Sequence, residues 1–419
     1  MLKSLGKTLS CLFFISYICW GWSQSKLVSK PSMLEQNVDS IMQDAIKQKA
    51  FPGAQILLYK DGGIRLNKAY GYHTYDSIRR VSTQDLYDLA SVTKILAGTL
   101  AFMKLYELYH IDLEAPLSDY LPYLKRSNKK ETTFTQLLTH SAGWIPSIEH
   151  HKTLHKKNGQ LKARTISNKP SKRFPYQIST SLFVHKNYYK TVKRRIKDSE
   201  VPTIGEYKYS GLWFFLLPEL VERLTGMTID DFLDLHFYNP LELERIAFRA
   251  GEYFPLEEIV PTEKDTLFRK TLVHGWVHDE AAALMGKLST NAGLFANAES
   301  LSVLLEMLLN KGMYHDQQYL LSETVERFTS RIFPQTGNRR GLGFDKPILK
   351  ETGQQTYPSQ WASPSSYGHS GFTGILVWVD PQYDCFMIFL SNRVYPHREL
   401  SSIYKLNVRS KILDQIILH

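Results

Sequence analysis

Ser91 and Lys94 stand three positions apart in LASVTKILAG, at the head of an apolar stretch that includes Ile95, Leu96, Ala97, Leu100, Ala101, Phe102, Met103 and Leu105. On a helix, that spacing puts both side chains on one face and brings the ammonium towards the hydroxyl. A helix that is apolar nearly all round belongs in a core. A lysine buried there must find a partner or give up its proton, because an isolated charge in an apolar setting is too costly. A neutral amine beside a serine is a base for a nucleophile. The helix N-terminus adds free N–H groups and positive potential where an oxyanion would form. The plain alternative is that Ser91 caps the helix and Lys94 reaches water.

Ser-x-x-Lys is a weak signal alone, because the chain holds five copies: Ser4/Lys7, Ser23/Lys26, Ser91/Lys94, Ser127/Lys130 and Ser402/Lys405. Only the copy at Ser91 begins a buried helix; Ser127 sits in polar RSNKKET and Ser402 on a C-terminal helix. Two further segments add chemistry. EYKYSGLWFFLL places Tyr209 before another apolar helix, in which Pro218 predicts a kink or break. YGHSGFTGILVWV places His369, Ser370 and Gly371 at the entrance to a strand, with glycines that let a substrate approach the backbone. Asp85 and Asp88 precede Ser91 and are candidates to cap its turn. His140 and His236 read as local hydrogen-bonding residues.

A metal-dependent hydrolase is the first rival. LVHGWVHDEAA offers His274, His278, Asp279 and Glu280. Zinc motifs of the His-Glu-x-x-His kind need Glu directly after the first His, and Gly275 stands there in a stretch that makes a poor helix. No metal ligand and no cofactor is therefore assigned.

The elements that must position these residues are legible in outline. Residues 1–23 read as a secretory signal, with Lys3 and Lys7 ahead of an apolar run from Leu9 to Trp22 and a cut near Ser23 or Gln24. Of three cysteines, its removal leaves Cys385 alone, so no intramolecular disulfide is expected. Cys385 lies in the alternating run CFMIFLSN and should pack as a small hydrophobe. No later stretch approaches the ~18 apolar residues of a membrane helix. The expectation is an exported protein, periplasmic or secreted, with no stable membrane span.

Gln36 to Lys49 has helical spacing, and FPGAQILLYKDGGIRLNKAYGY reads as two strands around Asp61-Gly62-Gly63. GFTGILVWVDPQYDCFMIFLSNRVY repeats that pattern far downstream, and Glu399 to Ile417 is helical again. Helical patterns such as Thr228 to His236 and Ser300 to Leu309 fill the middle. The two ends should pair into one antiparallel sheet flanked by helices, with a helical lobe inserted, which is an α+β fold. Residues 24–419 form one domain, carrying a basic insertion over 145–205. Between Lys152 and Lys197 there are fourteen Lys or Arg and no acid, which accounts for the net charge of +10. The plain reading is a solvated basic loop. The alternative is a grip on anionic envelope polymer through residues 152–197, nucleic acid being a poor fit for an exported protein.

The order Ser91-x-x-Lys94, then Tyr209-Ser210-Gly211, then His369-Ser370-Gly371 on a late strand resembles the penicillin-binding and class C β-lactamase-like serine hydrolases. FTQLLTHSAGW at 134–144 and NAGLFANAESL at 291–301 look like connecting motifs of that family, and the resemblance spans roughly residues 35 to 417. More narrowly, it is similar to the β-lactamase-related domain that in some envelope proteins follows a family-3 glycoside hydrolase. The resemblance implies a β-lactamase/DD-peptidase-like fold and Ser91 as the acylated nucleophile. Lys94 would take its proton or hold Tyr209 reactive, and Tyr209 would relay a proton to the leaving group and activate water. The N–H groups of Ser91 and Phe372 would form the oxyanion hole, and Ser210, His369, Ser370 and Gly371 would line the pocket. The implied reaction is amide or ester cleavage on a small molecule or peptide, with peptidoglycan-derived peptides as candidates for a DD-peptidase, D-aminopeptidase or esterase-like enzyme.

Two positions depart from the family pattern. Gly211 stands where such β-lactamases carry Asn, and His369 where lactamases and cell-wall peptidases carry Lys. Efficient β-lactam hydrolysis is therefore not expected. Gly211 also sustains a second rival, a non-catalytic penicillin-binding or wall-fragment-binding protein; retention of Ser91, Lys94 and Tyr209 argues against it.

Overall fold

A five-stranded antiparallel sheet is assembled from the two ends of the chain: β1 (Gly53–Lys60), β2 (Gly63–Gly71), β3 (Tyr367–Ser370), β4 (Leu376–Asp380) and β5 (Cys385–Ser391), in the spatial order β3-β4-β5-β1-β2. The computed structural model describes residues 31–286 and 288–419, so the expected signal at residues 1–23 lies outside the described residues. Asp61 and Gly62 reverse the chain between β1 and β2 with φ of 47° and 75°. Two successive left-handed residues are what a type I′ hairpin turn requires. β1 and β5 pair from Ala54↔Ser391 to Lys60↔Cys385, closing the sheet with the last strand of the chain.

The principal helices are α1 (Met33–Lys47), α2 (Leu100–Tyr109), α3 (Tyr188–Asp198), α4 (Leu217–Thr225), α5 (Ala298–Leu309) and α6 (Val408–Leu418). α1 and α6 cover one face of the sheet, where Val38, Met42, Ile412 and Ile416 join Ile56, Leu58, Met387 and Phe389. α5 covers the other, where Leu301 and Leu304 share a core with Leu57, Phe386 and Ile388. Burying each such side chain is worth ~1.5–3 kcal/mol, enough to pin both terminal helices. With both faces covered, β5 is buried at all seven positions rather than at every second one. The alternation expected of CFMIFLSN is therefore absent, and Cys385 is a buried free thiol.

Two local expectations are modified and a third holds. The chain after Ser91 is not one regular α-helix: a 3-10 turn (Ala90–Val92) leads into wide π-type turns (Lys94–Thr99) and only then into α2. The C-terminal helix is broken at Asn407, whose φ is 50°, into Ser402–Lys405 and α6. Pro218 does interrupt its helical stretch, separating the 3-10 turn Leu212–Phe215 from α4. There it occupies the first turn, where a missing N–H costs no hydrogen bond.

The basic segment is folded rather than a solvated loop. Ile166–Ser167, Tyr176–Ser179 and Leu182–Val184 form a small sheet, and α3 turns Tyr188, Val192 and Ile196 inward. Those apolar positions recur every four residues, one helix face, while the lysines and arginines between them face outward or sideways. Arg269 ties this segment to the core. Its guanidinium donates to the carbonyls of Ile178 at 3.0 Å, Val277 at 2.6 Å and His278 at 3.1 Å, and pairs with Asp265 at 3.4 Å. Among the described residues no helix is long and apolar enough to cross a membrane.

Candidate active site

Asp88 sets the turn that presents Ser91. Its Oδ1 accepts from the N–H of Ala90 at 2.8 Å and its Oδ2 from the N–H of His278 at 2.6 Å. Burial pushes this carboxyl above its ordinary range, a cost the two backbone donors partly offset. Ala90 then adopts a φ of 45°, a conformation that favours glycine, and Ser91 follows on the shoulder of that turn. Asp85 does not cap this turn; its carboxylate accepts from the N–H of Ser82 and holds His73 at 2.7 Å.

Lys94 does not reach water. It is 2% exposed, and its Nζ donates to Ser91 Oγ at 2.9 Å and to the carbonyl of Asn291 at 2.8 Å. Both partners are neutral. The ring of Tyr209 lies 5.5 Å from Lys94 Nζ, 4.5 Å from the ring of His140 and 6.1 Å from that of His369. Motifs more than a hundred residues apart thus converge on one spot. Tyr209 Oη, His140 Nε2 and His369 Nε2 are buried there, with no hydrogen-bond partner among the described residues. β3 docks tightly on the turn before Ser91: a Cβ at Gly371 would come within 2.7 Å of the carbonyl of Leu89. Ser370 is half-buried and Phe372 is exposed; the backbone N–H groups of Ser91 and Phe372 take no part in the described turn and loop hydrogen bonds. Ser210 is positioned differently from its neighbours, since its hydroxyl donates to the carbonyl of Ile145 at 2.8 Å and its N–H to His140 Nδ1 at 3.3 Å. That side chain holds a turn.

His369 departs further from lysine than its residue type alone implied. Burial, reinforced by the nearby Arg340 and Lys94, pushes its imidazole well below the usual range. At neutral pH the ring is uncharged. Nδ1 lies 2.7 Å from the carbonyl of Ser370 and so carries the proton, which leaves Nε2 as an acceptor. A neutral acceptor cannot form an ion pair with a substrate carboxylate.

Two residues at the site were missed. Asn291 opens the NAGLF phrase, and its carbonyl is the second anchor of Lys94. Arg340, in GNRRGLGF, gave no signal because the stretch reads as a loop. It is buried, its guanidinium lies 5.3 Å from the Tyr209 ring, and its Nη2 donates to Tyr207 Oη at 3.2 Å. Burial opposes its charge, but Asp345 at 3.4 Å, with Tyr207 and Tyr209, more than offsets that and holds it firmly cationic. His274 and His278 do not converge: Nε2 of His274 lies 2.7 Å from the carbonyl of Ile259, and that of His278 lies 2.7 Å from Glu263.

The buried histidines make a pH prediction. Burial holds His140 and His369 well below the ordinary range, and His150 at about 4. In the unfolded chain each titrates near ~6.5. Below that pH the unfolded state binds protons that the native state refuses. Their contribution to stability is full above pH ~6.5 and is lost as pH falls towards the native values. Unfolding free energies from urea titrations between pH 7.5 and 5 should fall by about 1–2 kcal/mol per histidine. A flat profile would contradict the burial.

A serine and lysine joined by a hydrogen bond, with a tyrosine ring and a late strand closing on them, define a serine hydrolase of the β-lactamase and penicillin-binding fold. The Beta-lactamase family model matches residues 35–408, and the chain belongs to that family. It is 28% identical over 400 residues to an N-acetylmuramyl-L-alanine amidase of Bacillus subtilis, covering 89% of this chain and 82% of the relative. It is 28% identical over 410 residues to a putative D-alanyl-D-alanine carboxypeptidase of Salmonella gallinarum, covering 91% of this chain and 85% of that protein. Among solved structures, EstCE1, a hydrolase with promiscuous acyltransferase activity, superposes with a TM-score of 0.64 at 18% identity, covering 90% of this chain and 98% of that one.

Proposed function

We propose that the protein is exported and cleaves an amide or ester bond in peptidoglycan-derived peptides through an acyl-enzyme on Ser91. The observation that carries this reading is the 2.9 Å bond from the buried Lys94 Nζ to Ser91 Oγ. Ser91 Oγ attacks the carbonyl carbon, and its proton passes into the Lys94–Tyr209 pair. The N–H groups of Ser91 and Phe372 hold the oxyanion, as preorganised donors do in acyl transfer. The leaving group departs with the relayed proton, and water activated by the same pair then hydrolyses the ester on Ser91. His369, Ser370 and Gly371 shape the pocket, and Ser210 holds the turn beside it. The choice of wall peptides is supported by the names of the Bacillus and Salmonella relatives. A fluorescent fluorophosphonate should attach to the purified protein, and peptide mapping should place it on Ser91. A protein that takes no label and hydrolyses no ester or peptide amide would end the proposal.

The basic segment serves this reading as a hold on anionic wall polymer. Lys156, Lys157, Lys172, Lys190 and Arg194 are exposed on it. Co-sedimentation with anionic wall polymer should be strong at low salt and lost at high salt, since exposed charges are screened. Binding that ignores salt would contradict it.

A further inference from the structure

Gly211 leaves the tyrosine motif without a side chain, yet the space beside it is filled. A Cβ built on Gly211 would stand 2.1 Å from Oδ1, 3.1 Å from Cγ and 3.7 Å from Nδ2 of Asn291, and these are the three nearest atoms. The place where a residue at 211 would begin is thus taken by a carboxamide delivered from eighty positions downstream. Asn291 belongs to the catalytic cluster in its own right, because its carbonyl accepts from Lys94. Its side chain is held as well: Nδ2 lies 3.4 Å from Asp279 Oδ2, and Asp279 is fixed by accepting from the N–H of Ala282 at 2.7 Å. Asp279 also lines a cleft of about 630 Å³ together with Glu280, His151 and Arg398.

We infer that the Asn291 carboxamide is the substrate-binding amide of this enzyme, supplied in trans to the tyrosine motif, and that it selects acyl donors carrying an amide next to the scissile carbonyl. The inference rests on the acyl-enzyme reading above. A carboxamide offers one acceptor and two donors, so it can pair with both the N–H and the C=O of a substrate amide. An acyl group without that amide leaves the Asn291 oxygen and its second N–H without that partner, and sites built to hydrogen-bond a group discriminate strongly against substrates that lack it. Gly211 follows from the same arrangement: any larger residue there would collide with Asn291.

The test exchanges the two positions. Hydrolysis of a nitrophenyl ester of an N-acetyl-D-amino acid is compared with that of nitrophenyl butyrate, and the readout is the ratio of the two kcat/KM values. Asn291→Ala keeps the carbonyl that anchors Lys94 and should lower the ratio by about 10- to 100-fold. Gly211→Asn alone should impair both substrates, because two side chains then compete for one space. Gly211→Asn combined with Asn291→Ala should raise the ratio back towards wild type. A ratio unchanged in Asn291→Ala, or a folded double variant no more selective than Asn291→Ala, would overturn the inference. Should the wild type turn over neither ester, the acyl-enzyme reading itself falls and takes this inference with it.

Discussion

Ser91→Ala should abolish turnover, lowering kcat by about 10⁴- to 10⁶-fold, and should leave a protein that still folds. Ser91 is half-buried and, among the described residues, its hydroxyl is held by one bond, from Lys94. Losing one such hydrogen bond costs only ~1 kcal/mol, so thermal unfolding should move by a few degrees at most. Lys94→Met should cost nearly as much activity, because the proposed reaction uses serine and lysine as one unit. The double variant should be no slower than Ser91→Ala alone. Active-site titration with a fluorophosphonate, together with steady-state rates, checks all three. Retention of more than a hundredth of wild-type activity in Ser91→Ala would mean that another group carries the reaction.

The largest stability effect is expected at Arg269. Its side chain is 1% exposed, and its guanidinium joins three carbonyls and one carboxylate drawn from the basic segment and the core. Arg269→Ala would take the guanidinium from Asp265, itself fully buried and left with the backbone N–H groups of Leu267, Phe268 and Arg269, and would leave the carbonyls of Ile178, Val277 and His278 without this donor. Removing one partner of a buried pair typically costs ~3–5 kcal/mol, because the remaining charge stays desolvated. Urea unfolding should therefore show the midpoint falling while the slope stays constant. Because the N–H of His278 also braces Asp88 beneath Ser91, slackening here should reach the active site and lower kcat as well. A variant within 1 kcal/mol of wild type would show that the basic segment is held elsewhere.

Much of this arrangement was legible in the sequence, and what escaped follows a physical pattern. The hairpin at Asp61-Gly62, the paired chain ends and the buried Ser91–Lys94 step are local or strongly apolar signals, and the sheet order and the hydrogen bond agree with them. The family resemblance located Tyr209 and His369, which periodicity alone would have left as unremarkable polar residues. Contributions from irregular segments stayed hidden: Arg340 and the Asn291 side chain arrive on loops, where no periodicity reports direction. The interruption of the helix after Ser91 was also hidden, because tertiary packing sets it. A Cβ at Gly98 would meet Phe214 and Thr290 at 3.0 Å, a closeness that no propensity scale encodes. The basic segment read as solvent-borne because its charges mask the Tyr188, Val192 and Ile196 face.

The seam between β1 and β5 links residues separated by more than three hundred positions, as Ala54↔Ser391 does. β1 can zip to its hairpin neighbour β2 early, but its other edge stays open until β5 has been made, so a ribosome-bound fragment has no way to finish the sheet. Contacts of such long reach form late and slowly. The sheet of a chain built in this manner stays incomplete until β5 has emerged. Passage through a narrow translocation pore, followed by assembly on the far side, is a route this topology permits without any unfolding step.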